Sequence, residues 1–260
     1  MIGGIHLEVV IGAALLAGAY VAAWRASGER WRPARAAAFG GALVALIAAL
    51  NGPIHDLSEH ALFSAHMVQH LILTLIVPPL LLVGTPGFMM DALLAPLLAR
   101  PVPALVLRTI TRPLPALGGY AVALFVWHLP GPYGEALRSH AVHFGEHAVL
   151  VTAALIAWWP IASPSRTLPP LPYGAQILYL FVFGMPMTIV AALITGAEHV
   201  LYPFYATAPR VTALTPLEDQ RLGGILMWVP AGVIPLVAFT SVFFRWVAAE
   251  AEDPAEAESP

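Results

Sequence analysis

Seven apolar stretches in this chain are long enough, or nearly long enough, to cross a lipid bilayer as helices. A transmembrane helix needs about 20 predominantly apolar residues. Because the hydrocarbon core holds no water to satisfy backbone groups, such stretches are expected to be helical. The sequence therefore predicts an all-α, polytopic membrane protein with one seven-span domain over residues 1–249. The predicted spans cover residues 5–24, 36–52, 61–84, 114–129, 140–161, 173–195 and 222–247.

Composition supports this fold class and excludes others. Hydrophobic residues make up 59% of the 260 residues and charged residues only 10%, too few to cover a water-facing surface. These proportions predict that the protein is surrounded by the lipid bilayer. The net charge of −3 carries no signature of nucleic-acid binding. Cysteine is absent, which excludes disulfides and thiolate metal sites. The amino-terminal apolar run lacks a preceding basic residue and a cleavage pattern, so we expect a retained span.

The arginines predict the orientation of the chain. Lysine is absent, so all twelve basic residues are arginine, and basic residues concentrate in cytoplasmic loops. If the spans alternate, nine arginines share one side: Arg25, Arg30, Arg32, Arg35, Arg100, Arg108, Arg112, Arg166 and Arg245. Only Arg138, Arg210 and Arg221 lie on the other side. This predicts an amino terminus outside and a cytoplasmic carboxyl terminus, with residues 250–260 as an acidic, disordered tail.

The ten histidines all lie near the predicted outer ends of the spans. They are His6, His55, His60, His66, His70, His128, His140, His143, His147 and His199. Neutral imidazole is the commonest protein ligand for metals. A one-sided collection of imidazoles therefore predicts a metal site that faces the periplasm or lies in the outer leaflet.

Two pairs of histidines are the principal candidate ligands. His66 and His70 are four residues apart at the start of the third span, and His143 and His147 repeat this spacing in the fifth. The spacing puts both imidazoles on one helix face, about 6 Å apart along the axis. Ionisable groups inside a span are costly and indicate a function. We expect the two pairs to form the site, with His60, His128, His140 and His199 as accessory ligands.

Parts of this pattern are also typical of a purely structural role. Each histidine pair alone is typical of a polar cap at the membrane interface. Residues 51–60 are predicted to form a loop with two histidines and two carboxylates. This loop would capture metal at the entrance of the site, or it would serve only as a helix entry in which Ser58 or Asp56 caps the third span. Met185, Met187 and Met227 suit copper ligation but are more typical of packing.

The segment before the seventh span has two interpretations. Glu218 and Asp219 suit the positive end of a helix dipole, or one of them holds a ligand histidine through a hydrogen bond. Gly223 and Gly224 would allow another helix to approach closely.

The residues His143-Phe-Gly-Glu-His147 match the H-x-x-E-H motif of certain zinc peptidases, in which the glutamate is the general base. The match specifies only three positions and is weak. A peptidase would lose turnover on Glu146→Gln, whereas a protein that only binds metal would tolerate this change if His147 stays oriented.

A set of motifs along the predicted membrane domain forms a specific combination. The motifs are Phe63-Ser-Ala-His-Met-Val-Gln-His70, Pro78-Pro-Leu-Leu-Leu-Val-Gly-Thr-Pro86, Trp127-His-Leu-Pro130, Glu146-His147 followed by Trp158-Trp-Pro160, Leu201-Tyr-Pro-Phe-Tyr205 and Glu218-Asp-Gln-Arg-Leu-Gly-Gly-Ile-Leu-Met-Trp228. Together they resemble the CtaG-type cytochrome c oxidase assembly factors of bacterial membranes. The likeness runs from about residue 50 to 246.

The resemblance implies a protein of the bacterial inner (plasma) membrane that is needed to make an active haem–copper oxidase and has no reaction of its own. It implies supply or insertion of copper, as Cu(I) or Cu(II), for the histidine-ligated catalytic copper of the oxidase. The implied partners are the oxidase subunit that carries this copper and a periplasmic copper donor. The outer histidines predicted above would bind the copper and pass it laterally.

Two rival functions use the same histidines. One is a membrane metalloenzyme of the zinc peptidase or di-iron type. The other is a b-type haem protein, because facing helical histidines can ligate haem. A transporter is least supported, since the inner leaflet lacks a matching polar path.

Overall fold

The computed structural model describes residues 6–252, and within them the regular elements are helical. The elements are α1 (Leu7–Ser27), α2 (Pro33–Leu50), α3 (Gly52–His60), α4 (Phe63–Leu71), a π-helical segment (Ile72–Ile76), α5 (Val77–Gly84), α6 (Gly87–Leu98), α7 (Pro101–Ile110), α8 (Pro113–Trp127), α9 (Pro130–Arg138), α10 (His140–Ala162), α11 (Tyr173–Phe183), α12 (Met185–Thr195), α13 (Pro203–Thr207) and α14 (Pro216–Glu252). Helix α14 continues through residues 250–252, where the sequence predicted the start of a disordered tail. The remainder of that predicted tail lies outside the described residues.

Within residues 6–252, six continuous helical segments are long and apolar enough to cross a membrane, so this is a multi-pass membrane protein. They are Leu7–Ser27, Pro33–Leu50, Phe63–Gly84, His140–Ala162, Tyr173–Thr195 and Pro216–Ala251. The predicted span at 114–129 is different, because α8 has only 15 residues, about 22 Å of helix. It forms a candidate seventh span only together with α9, and the two are bent by 70°.

The span Phe63–Gly84 is the centre of the bundle. In its most apolar window 61% of the residues are buried, against 17% in each of the first two spans. It contains the π-helical segment immediately before the Pro78-Pro79 pair. Proline has no N–H to donate to the preceding turn. The free carbonyl of Thr74 instead accepts a hydrogen bond from Trp158 Nε1 at 3.1 Å, which ties this span to α10.

Close packing at glycine holds other helices around this centre. A side chain at Gly223 would collide with Phe63 of α4, and one at Gly224 would collide with Thr195 of α12. The close helix approach predicted for this glycine pair is therefore confirmed. A break between α11 and α12 lies at Gly184, just before Pro186, because proline cannot donate the N–H that would continue the helix.

The segment between the second and third spans differs from the prediction. Residues 52–60 form helix α3 instead of a loop. Proline in the first turn of α3 favours a helix start, because that position needs no N–H donor. Ser58 does not cap the third span as predicted; its hydroxyl is buried near His55 O (2.7 Å) and Gln69 Oε1 (3.0 Å).

The cap of α4 comes instead from Asp219, at the start of α14. Asp219 Oδ2 accepts a hydrogen bond from the Phe63 N–H at 2.7 Å, and Oδ1 accepts one from the Ser64 hydroxyl at 2.5 Å. Phe63 and Ser64 belong to the first turn of α4, where backbone N–H groups have no partner within the helix. Asp219 is therefore a long-range cap that fixes the end of the helix carrying His66 and His70.

Candidate metal centre

Four buried side chains converge between α4 and α10. They are His66, His70, Glu146 and His147, and one potential ligand atom from each lies within 4.8 Å of the others. Helix α4 contributes His66 and His70, and helix α10 contributes Glu146 and His147. His66 and Glu146 have no exposed surface, and His147, the most exposed of the four, is 9% exposed.

The distances within this four-residue centre suit a shared cation. His66 Nε2 lies 2.8 Å from His70 Nε2. The carboxylate of Glu146 lies beside both, with its two oxygens 3.9 Å from His66 Nε2 and 3.7 Å from His70 Nε2. Neither carboxylate oxygen has a hydrogen-bond partner, and neither does His147 Nε2. A buried polar atom without a partner is costly, so these orphaned atoms are available as ligands for a metal ion.

Tyr205 orients His66 from the opposite side. The Tyr205 hydroxyl donates to the carbonyl of Ser58 at 2.8 Å. Its oxygen is therefore left to accept from His66 Nδ1 at 3.2 Å and from the Tyr133 hydroxyl at 3.1 Å. In this arrangement His66 carries its proton on Nδ1, so the Nε2 lone pair faces the centre. Such a hydrogen bond to the distal ring nitrogen is typical of metal-ligating histidines.

His128, at the edge of the centre, also carries its proton on Nδ1. Its Nδ1 donates to the carbonyl of Leu124 at 2.8 Å, which leaves a lone pair on the buried Nε2. That atom has no hydrogen-bond partner. The ring centroid lies 5.7 Å from that of His70. His128 is thus positioned beside the four-residue centre, although it is not one of its members.

His143 lies next to the centre but outside it. Its Nδ1 is 2.9 Å from Glu59 Oε1 of α3, and its buried Nε2 has no partner. The ring centroid is 4.3 Å from that of His147 and 5.3 Å from that of His66. The hydrogen bond from His143 lowers the pKa of Glu59 to about 2. His143 is thus bound to a carboxylate of its own, and the H-x-x-E-H motif contributes its glutamate and second histidine to the centre.

The remaining predicted ligands are dispersed. His60 and His199 are exposed, and His60 Nδ1 faces the carbonyl of its own helix at Asp56, 3.0 Å away. His140 is exposed at the rim of a cavity beside His143. Met187 and Met227 are buried in the apolar core, as the packing interpretation predicted.

Glu146 is the member of the centre that the sequence analysis did not identify as a ligand. It was considered only as a general base in a weak motif. A carboxylate inside a predicted apolar span is itself a signal, because a lipid-facing position would be very unfavourable. Its neighbour Phe144 does face outward, with 70% of its surface exposed.

Comparison with known proteins matches most of the chain to a family. A family model described as cytochrome c oxidase caa3 assembly factor covers residues 16–249. No curated protein and no solved structure matched the chain significantly.

Proposed function

The chain belongs to the cytochrome c oxidase caa3 assembly factor family, and on that premise we propose that it binds copper and helps deliver it to the catalytic copper site of the oxidase. The proposed ligands are His66, His70, Glu146 and His147. The observation that supports this proposal best is the convergence of these four buried groups, whose ligand atoms lie within 4.8 Å of one another.

The chemistry of the donor set is compatible with copper. Three of the four donors are imidazoles, which suit copper, zinc, iron and nickel, whereas magnesium and calcium prefer ligand sets made of oxygen atoms alone. A monovalent copper ion beside one ionised carboxylate would make the buried centre electrically neutral. Neutrality lowers the cost of holding charge away from water, which favours Cu(I) as the form bound before transfer. The family membership supplies the reason to choose copper over zinc.

The distribution of charge supports a periplasmic site in the bacterial inner membrane. The histidine-bearing helix ends are opposite those that carry most of the arginines, such as Arg25 after the first span and Arg166 after the fifth. By the positive-inside rule the arginine end is cytoplasmic. The copper would then come from a periplasmic donor and pass to the oxidase subunit that holds the catalytic copper.

A cell-based experiment tests this function. The gene is replaced by one encoding the His66→Ala/His70→Ala variant, and the copper content and activity of the oxidase are measured in isolated membranes. We expect the oxidase to lack its catalytic copper while the variant protein is present at the normal level. His199→Ala is the matched control and is expected to support full assembly. An oxidase with full copper content in the double variant would refute the proposal.

Metal analysis of the purified protein separates this function from its rivals. An assembly factor of the proposed kind takes up copper, a peptidase zinc and a di-iron enzyme two iron ions. A b-type haem protein would show a Soret absorption band on purification.

A further inference from the structure

A positively charged cavity lies at the end of the bundle opposite the four-residue centre. It has a volume of about 170 Å³ and is bounded by the loop that joins α1 to α2, the start of α6 and the segment that follows α10. Its charged lining consists of four arginines and one glutamate: Arg30, Arg32, Arg35, Arg166 and Glu29. The excess of positive charge indicates that the cavity would attract an anion.

The four arginines of this cavity are not neutralised by carboxylates. Among the residues that the structure describes, the one ion pair of an arginine joins Arg138 to Glu135, at the other end of the bundle. Arg35 Nη1 donates to the carbonyl of Thr85 at 3.1 Å, which leaves the other N–H groups of Arg35 available. The positive-inside rule explains why arginines share one end of the bundle, but not why four of them converge on one cavity.

Hydrogen bonds and close packing hold the wall that carries Arg166. Asp91 of α6 accepts hydrogen bonds from the Ser165 hydroxyl at 2.5 Å and from the backbone N–H of Arg166 at 3.3 Å. Gly87, at the start of α6, lies so close to the carbonyl of Pro164 that a side chain at position 87 would collide with it. The segment after α10 is therefore fixed against α6, and the cavity between them is a built part of the fold.

Aromatic side chains place this cavity at the membrane interface. Trp24 of α1 lines the cavity, and its Nε1 donates to the carbonyl of Glu29 at 3.0 Å. The ring centroid of Trp24 is 4.7 Å from that of Trp31 and 6.1 Å from that of Phe88. Tryptophan is enriched at the boundary between the hydrocarbon core and water, which is the level of the lipid headgroups. A ligand in this cavity would therefore lie among the headgroups.

A second cavity, of about 300 Å³, adjoins the first, since Arg35 and Pro164 line both. Its wall includes the apolar side chains of Leu82 and Val83, and Val83 is 54% exposed. The buried Gln176 also lines it, and the amide oxygen of Gln176 has no hydrogen-bond partner among the described residues. That oxygen could accept a hydrogen bond from a ligand hydroxyl. The two cavities together therefore suit a ligand with a phosphate group beside an apolar chain.

We propose that the arginine-lined cavity binds the phosphate group of an anionic phospholipid, whose acyl chains lie along the apolar wall of the adjoining cavity. Basic pockets between membrane helices bind such headgroups on the cytoplasmic side, and the guanidinium group matches the geometry of phosphate oxygens. A free phosphate ion would satisfy the same arginines but would leave the apolar wall uncovered. The lipid would join the first two spans, of which little is buried, to the rest of the bundle. This site is independent of the proposed copper function.

The test measures lipid binding to the full-length, delipidated protein in detergent by native mass spectrometry. Phosphatidylglycerol and phosphatidylcholine with the same acyl chains are titrated separately. We expect the wild-type protein to bind the first phosphatidylglycerol molecule about tenfold more tightly than phosphatidylcholine, whose choline cation would lie beside the arginines. Arg30→Gln/Arg32→Gln/Arg166→Gln should weaken the binding of phosphatidylglycerol by on the order of 100-fold, because each arginine near a headgroup contributes about fivefold in affinity.

The matched control removes three arginines that do not line either cavity: Arg100→Gln/Arg108→Gln/Arg112→Gln. It should bind phosphatidylglycerol like the wild type. Equal losses of affinity in the two triple variants would overturn the inference. So would equal affinities of the wild-type protein for the two lipids, a comparison that needs no variant to fold. If millimolar inorganic phosphate displaces the lipid and sodium chloride of equal ionic strength does not, the cavity binds a free anion and the lipid assignment is wrong.

Discussion

The Nε2 atoms of His66 and His70 lie 2.8 Å apart in the interior of the bundle. Two ring nitrogens at this distance cannot both present lone pairs, so one proton lies between them. Because Tyr205 fixes the proton of His66 on Nδ1, the shared proton belongs to His70 Nε2. Two nitrogens bound to one ion in tetrahedral geometry would be about 3.3 Å apart. An ion can therefore replace this proton after a movement of only about half an ångström.

Glu146→Gln should weaken copper binding by about 10- to 100-fold, because it keeps the size of the side chain but removes the only carboxylate of the centre. From the sequence, in which Glu146 is not a predicted ligand, a protein that only binds metal is expected to tolerate this substitution. The structure predicts the opposite result. The measurement is competition with a chelator of known affinity. Unchanged copper affinity in this variant would remove Glu146 from the ligand set.

Tyr205→Phe should lower copper affinity by about 10- to 100-fold without unfolding the protein. The substitution removes the acceptor that holds the proton of His66 on Nδ1. Tyr179→Phe is the matched control, since the Tyr179 hydroxyl donates to the Ala157 carbonyl in another part of the core. If both variants bind copper like the wild type, Tyr205 does not orient His66.

Asp219→Ala should lower the free energy of unfolding by about 1 to 2 kcal/mol, since it removes the cap of α4. We expect a decrease in Tm on the order of 5 °C in detergent. Glu135→Ala is the control, because Glu135 is exposed and pairs with Arg138 on its own helix. Equal Tm values for the two variants would contradict the capping role of Asp219.

Glu59→Gln should flatten the dependence of stability on pH in acid. The hydrogen bond from His143 lowers the pKa of Glu59 from 4.5 to about 2 in the folded protein. Ionised Glu59 therefore stabilises the fold above pH 4.5, and this contribution is lost as the pH falls towards 2. In thermal unfolding, the difference in Tm between wild type and variant should be largest above pH 4.5 and shrink below it. If the difference in Tm does not depend on pH, the contact between the Glu59 carboxylate and the His143 imidazole is not its cause.

The sequence predicted the parts of the fold that depend on local patterns. Apolar length predicted the spans, and the i, i+4 spacing placed His66 and His70 on one face of a helix. The cap of α4 could not be predicted, because Ser64 and Asp219 are 155 residues apart and only the packing of α14 against α4 brings them together. Helix α3 was missed because nine residues around a proline are equally typical of a loop.

The site could be predicted only in part, because its geometry also depends on how the helices pack against one another. Spacing identifies which histidines share a helix face, but not how α10 is rotated against α4. That rotation turns Glu146 into the centre and leaves His143 beside Glu59. The tautomers of His66 and His143 depend on Tyr205 and Glu59, which lie on other helices.

X-ray absorption spectroscopy at the copper edge tests the central claim most directly. In protein loaded with one equivalent of copper, we expect three or four nitrogen or oxygen neighbours at about 2.0 Å, with imidazole scattering and no sulfur. The His66→Ala/His70→Ala variant should lose this signal. A sulfur neighbour from methionine, or an unchanged spectrum in the double variant, would contradict the assignment of the metal to His66, His70, Glu146 and His147.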